Sequence, residues 1–226
     1  MEKQLAHIRN FSIIAHIDHG KTTLTDAFLK ATGTISKTET RERIMDSNPI
    51  EQEKGVTIKL APVMMDYELD GKKYYLNLID TPGHVDFGYE VSRSLAACEG
   101  ALLLIDATQG VQAQTLANYE KAKALGLKII PVINKIDLPS ADVDQATLEI
   151  MELLGVDEGE IYKTSAKNNI GIEEVLEAIV KEIPAPTGDI EKPTKAMVIT
   201  SLFDSHQGVI AYLRVIDGEL NKLSKI

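Results

Sequence analysis

Three short, almost unbroken aliphatic runs recur in this chain: "NFSIIAHI" (10–17), "GALLLIDA" (100–107) and "LKIIPVIN" (127–134). A strand with one wet face alternates apolar and polar residues, whereas a strand covered on both faces reads as a continuous apolar run. Between and after these runs lie stretches with helical spacing. In one, Ile172, Val175, Leu176, Ile179 and Ile183 fall at i, i+3, i+4, i+7 and i+11. Strands alternating with helices imply a parallel sheet wrapped on both sides. "TIKLAPVMMDYEL" (57–69) and "KKYYLNLID" (72–80) flank Asp70-Gly71, the signal for a tight antiparallel hairpin, and "EIYKTSA" (160–166) is a weaker strand. The expected fold class is therefore α/β: a mainly parallel six-stranded sheet with helices on both faces.

The tail reads differently. "IPAPTGDIEKPTK" (183–195) holds three prolines and a glycine, the composition of a linker. Beyond it "AMVITSLFD" (196–204) and "GVIAYLRVIDGEL" (208–220) look like strands, with Val209, Ala211, Leu213 and Val215 along one face. So short a stretch cannot bury a core alone. The expected organisation is a domain over 1–186, a linker over 187–194, and the opening of a β-rich second domain over 195–226, within which the chain is cut.

Composition sets outer limits. A chain of 226 residues that is 44% hydrophobic can build one sizeable core. A net charge of −10 argues against a general nucleic-acid clamp, which needs a basic face. The N-terminus shows no leader pattern, and no run approaches the ~18 apolar residues of a membrane span, so a soluble cytoplasmic protein is expected. The single cysteine, Cys98, lies among small apolar residues and reads as a packing residue.

Chemistry concentrates where these strands end. "AHIDHGKTTL" (15–24) leaves a strand and enters a helix. A phosphate loop needs backbone N–H groups at a helix N-terminus, a lysine for the β/γ-phosphates and a hydroxyl for magnesium. Gly20, Lys21 and Thr22 stand at those places, although Ala15 replaces the first glycine of the usual pattern. A metal site of His16, Asp18 and His19 is a weaker reading, lacking a second ligand cluster; loop packing accounts for the histidines better. "LNLIDTPGH" (76–84) ends in Asp80, which can hold magnesium through water, and Gly83, whose N–H can meet a γ-phosphate. It is also good turn chemistry. "PVINKID" (131–137) offers Asp137, expected as a buried carboxylate, to the guanine N1–H and 2-amino groups, with the Lys135 stem over the base. "TSAKN" (164–168) can give a backbone N–H to guanine O6. Each motif alone is weak. Their joint order, all at strand ends where open α/β sheets bind ligands, points to a guanine nucleotide.

On "AHIDHGKTTL", "EKGVTIK", "DTPGHVDF" and "NKID" the sequence resembles the P-loop GTPase domain of the translational GTPases. The resemblance covers residues 1 to about 190, and the tail resembles the start of their β-barrel second domain. The stretch 84–118 and "NKIDLPSAD" look most like the LepA branch, elongation factors linked to back-translocation on the ribosome. The BipA and elongation factor G branches share the G motifs and remain alternatives.

The resemblance implies roles, position by position. Asp18, His19, Gly20, Lys21, Thr22 and Thr23 would wrap the phosphates, and Thr22, Thr57 and Asp80 would hold Mg2+. Gly83 would sense the γ-phosphate. Asn134, Lys135 and Asp137 would read the base, with Ser165, Ala166 and Lys167 completing the site. Ile17 and Val56 would form an apolar gate beside His84, the residue that positions the attacking water. The polar segment 32–56 would act as a nucleotide-dependent switch. It contains Arg41 and Arg43, but no motif marks either as an arginine finger, so slow intrinsic hydrolysis accelerated by the ribosome follows. The resemblance further implies a monomer, associated at most peripherally with the inner membrane surface. A GTP-dependent binding module with negligible hydrolysis is the competing reading. A P-loop metabolic kinase fits poorly, having no need to read guanine.

Overall fold

A run that is apolar at every position needs helices on both of its faces, and the fold supplies them. The computed structural model describes residues 5–35, 62–79, 88–204, 206 and 208–221. Strand β1 (Ile8–Ala15) leads to helix α1 (Lys21–Ala31). The hairpin β2 (Val63–Leu69) and β3 (Lys72–Leu78) follows, then α2 (Gly88–Ala96), β4 (Gly100–Asp106) and α3 (Ala113–Ala124). Next come β5 (Lys128–Asn134), α4 (Val143–Leu154), β6 (Tyr162–Lys163) and α5 (Ile172–Glu182). These strands form one six-stranded sheet in the order β2-β3-β1-β4-β5-β6, with only the β2–β3 pair antiparallel. Asp70 and Gly71 both take positive φ (52° and 70°), as the tight hairpin turn requires.

The alternation hidden inside the aliphatic runs now sorts residues between two cores. On one face Leu102 and Leu104 of β4 join Phe11 and Ile13 of β1 under α1 and α5, with Phe28, Leu176 and Ile179. On the other, Ala101, Leu103 and Ile105 meet Val91, Leu95, Tyr119 and Ile150 of α2, α3 and α4. Strand β6 is shorter than "EIYKTSA" suggested, holding two ladder residues before the chain turns. Its ladder with β5 covers only Tyr162 and Lys163, and by Ser165 the chain has turned into a bridge with Ile170.

Strands β7 (Lys195–Asp204) and β8 (Gly208–Asp217) form a separate antiparallel pair. Ile199 packs on Ile79, Ala97 and Cys98, and Met197 joins from the edge. Arg93 of α2 donates to the Val198 carbonyl at 2.7 Å, and Arg214 pairs with Glu99. A cleft of about 810 Å³, lined by Asn77, Ile79 and Tyr212 among others, opens between this hairpin and the sheet, remote from the strand ends that carry the motifs. Cys98 is buried as expected; its thiol donates to the Ser94 carbonyl and burial raises its pKa well above the ordinary value.

Candidate functional site

Five parallel strands run the same way, so their C-terminal ends lie along one edge of the sheet. The loops after β1, β5 and β6 meet there. Three sequence motifs far apart in the chain become one surface.

The loop after β1 is shaped by two left-handed residues, Asp18 (φ 65°) and Gly20 (φ 94°). Gly20 caps α1 without contributing a side chain, and the first helical turn carries no acidic residue. An α-helix leaves its first-turn N–H groups without intrahelical acceptors, so this end favours an anion. Gly20 is also required by space. A Cβ built on it would lie 2.5 Å from Asn134 Nδ2 and 3.8 Å from Lys135 Cε. Lys21, Thr22 and Thr23 open α1 from this point.

His19 is fully buried, and the packing reading of this histidine holds. Strand β1 ends at Ala15, paired with Leu104, so the next stretch of β4 has no strand on that side. The His19 ring fills the gap. Its Nδ1 lies 3.3 Å from the Leu104 carbonyl and 3.3 Å from the Asp106 N–H. One tautomer donates to the first and the other accepts from the second. Burial holds the imidazole below its ordinary pKa, against the opposing pull of the Leu104 carbonyl and Asp106. His16 meets it edge-on at 5.3 Å. Among the described residues, no group of three His, Cys, Asp or Glu converges to hold a metal. Ile17 is half-buried in the same loop.

Asn134 joins the loops. Its Nδ2 donates to the His19 carbonyl at 3.0 Å, while its Oδ1 accepts from the Ala166 N–H at 3.1 Å and from Thr164 Oγ1 at 3.2 Å. It is 1% exposed, so each of its polar atoms has been matched inside the protein. Lys135, at φ 63°, reaches back so that Nζ donates to the Asp18 carbonyl at 2.5 Å and pairs with Asp106 at 2.7 Å.

Asp137 departs from expectation. It is exposed rather than buried, standing in the turn that follows β5. The Ser165 side chain, with help from Asn168, holds its pKa below the ordinary carboxylate value. Ser165 and Ala166 are buried and Lys167 is exposed. Asp137 thus stands beside Ser165, an open acceptor next to a rigid loop. The loop is locked by a bridge in which Ser165 and Ile170 exchange N–H···O bonds of 3.0 Å each.

Two contributors went unread in the sequence. Thr164 donates from Oγ1 to Ile133 and Asn134, holding β6 to β5. Asp106 ends β4 fully buried, accepting from Lys135, from both the N–H and hydroxyl of Thr108 at 2.8 Å, and from Gln109 at 3.3 Å. Burial works to raise its pKa, and those bonds outweigh it and hold it below the ordinary value. The signal was present, since "LLLID" ends in aspartate just as "LNLID" and "VINKID" do. Val56, Thr57, Asp80, Gly83, His84, Arg41 and Arg43 lie outside the described residues, as does most of the 32–56 segment.

Comparison with known proteins follows the same lines. Over 97% of its length the chain is 58% identical to elongation factor 4 of Aquifex aeolicus, and over 100% it is 55% identical to elongation factor 4 of Bacillus subtilis. In both cases it spans 37% of the relative's length. A crystal structure of a protein from Thermus thermophilus superposes with a TM-score of 0.71 at 22% identity, covering 94% of this chain and 46% of that one. That likeness concerns the fold. The model of the elongation factor Tu GTP binding domain matches residues 6–185, which contain every described loop of the site. The chain belongs to the elongation factor Tu GTP binding domain family.

Proposed function

We propose that this chain is the GTP-binding and GTP-hydrolysing part of a translation factor of the elongation factor 4 type, acting on the ribosome. The observation that carries the reading is Asn134, whose buried amide ties the phosphate-loop carbonyl of His19 to the base-side N–H of Ala166. A ligand with phosphate at one end and a base at the other needs both loops held at a fixed separation. Asp18 to Thr23 receive the phosphates, with the Lys21 ammonium on the β/γ-phosphates. Asp137 accepts from the guanine N1–H and 2-amino groups, Ser165 and Ala166 frame O6, and the stems of Lys135 and Lys167 flank the base.

Magnesium is the metal proposed here. Thr22 presents a hydroxyl in the first turn of α1, and Thr57 and Asp80 complete the proposed ligands. Bound there, the ion would neutralise charge developing on the phosphates. His84 orients the attacking water behind the Ile17–Val56 gate, with Gly83 on the γ-phosphate. Phosphoryl transfer asks for positioning and charge stabilisation more than covalent chemistry, which this set supplies. GTP and water then give GDP and phosphate.

In the same reading residues 1–186 are the nucleotide domain, 187–194 the linker, and 195–226 the opening strands of a β-barrel. The outer face of β7–β8 supports this: Phe203 is 77% and Val209 74% exposed, an apolar surface suited to further strands. The whole protein would work in the cytoplasm as a monomer, with at most a peripheral hold on the inner membrane surface. Among the described residues no helix is long and apolar enough to cross a membrane. The test is single-turnover hydrolysis by the full-length protein with and without ribosomes. Strong stimulation, lost in His84→Ala with nucleotide binding retained, is expected. Equal rates with and without ribosomes would overturn the reading. The chain of 226 residues alone should bind GTP and GDP and be stimulated little.

A further inference from the structure

We infer that Asp106 is a positioning residue for the guanine nucleotide, acting through Lys135; the inference rests on the nucleotide site proposed above. A lysine is the most mobile of side chains, and fixing it costs rotamer entropy. Here contacts within the protein itself fix it. Its backbone is left-handed (φ 63°), a conformation that persists only where the surroundings over-determine it. Two contacts do so: the Asp18 carbonyl at 2.5 Å and the Asp106 carboxylate at 2.7 Å.

The Asp106 carboxylate is unusually well anchored for this task. Its side chain has no exposed surface, against 29% for that of Lys135. One oxygen takes the Thr108 N–H and hydroxyl, and the other takes Lys135 and Gln109. Thr108 and Gln109 therefore aim the carboxylate, and the carboxylate aims the lysine. Its backbone N–H also faces His19, inside the phosphate loop. The end of β4 thus steers the base-side lysine and touches the phosphate loop, while its own carboxylate is fully enclosed by protein. The lysine stem forms a preset platform for the base, and its ammonium holds the Asp18 carbonyl in place.

Asp106→Asn keeps the shape and the Thr108 bond, but it replaces the acceptor facing Lys135 with an amide N–H. The lysine is then released. Dissociation of a fluorescent GDP analogue should accelerate about ten- to thirtyfold, the rate ratio equivalent to freeing one lysine, up to ~2 kcal/mol. A double-mutant cycle with Lys135→Met provides a readout that a general structural role would not move. If Asp106 acts through Lys135, adding Asp106→Asn to Lys135→Met changes the release rate little. An equal acceleration in both backgrounds would overturn the inference, as would an unchanged rate in the single variant. Should Asp106→Asn alone fail to fold, the comparison of Lys135→Met with the double variant decides, by the same criterion. Failure of the wild-type chain to bind the analogue at all would instead count against the nucleotide site itself.

Discussion

Replacing Gly20 by alanine adds one methyl group, and the structure says where it goes. Two costs arise. The left-handed backbone (φ 94°) is unfavourable for an L-side chain, by about 1–2 kcal/mol. The new Cβ would also sit 2.5 Å from Asn134 Nδ2, closer than real carbon–nitrogen contacts allow. Asn134 cannot yield freely, because it is 1% exposed and bound at both ends, to His19 and to Ala166 and Thr164. Pushing it aside strands at least one buried polar atom, at about 1–3 kcal/mol. The sum is a loss of about 2–5 kcal/mol. Gly33 provides the control. It too is left-handed (φ 67°), but among the described residues nothing lies within 4 Å of a Cβ built there. Gly33→Ala therefore incurs the backbone cost alone, about 1–2 kcal/mol. Urea unfolding would measure both losses, and titration with a fluorescent GDP analogue would measure affinity. Gly20→Ala should lose the additional ~1–3 kcal/mol and weaken nucleotide binding at least about tenfold, with Gly33→Ala unchanged in binding. Equal destabilisation by the two variants, with equal affinity, would refute the collision with Asn134.

Two further predictions concern neighbouring groups. Asp137→Asn exchanges an acceptor for a donor beside Ser165, so guanine nucleotides should lose and xanthine nucleotides gain. Mismatches at polar sites of this kind reach about 10⁴–10⁵-fold, and competition binding that still favours GDP over XDP would count against the role given to Asp137. His19 should impose a pH dependence on stability. Its native pKa is held down by burial, so below about pH 6.5 the unfolded chain binds a proton that the native chain refuses. Stability is then full above that pH and falls as pH drops toward the depressed native value. His19→Gln should flatten the urea midpoint across this window, and an unchanged slope would show that another group is responsible.

Much of this molecule was determined locally and could be read in order along the chain. Continuous apolar runs marked the buried strands, period-3.6 spacing marked α5, Asp70-Gly71 marked the hairpin, and the motifs marked the loops. Sequence also implied the two-sided sheet, since continuous runs such as "GALLLIDA" have no other stable environment. What it could not determine were contacts between residues distant along the chain. Asn134 and His19 are 115 positions apart, and the strand order alone brings them to hydrogen-bonding distance. The same is true of His19 and Leu104, 85 apart, where a side chain substitutes for a missing strand. Asp137 looked like a buried carboxylate because it follows a buried strand. Its exposure depends on where the chain turns after Asn134, which is decided by the lock of Thr164 and Ser165 on the neighbouring loop. Asp106 looked like the end of a strand. It became a buried anion with four donors only when Lys135 turned back across the sheet edge to meet it.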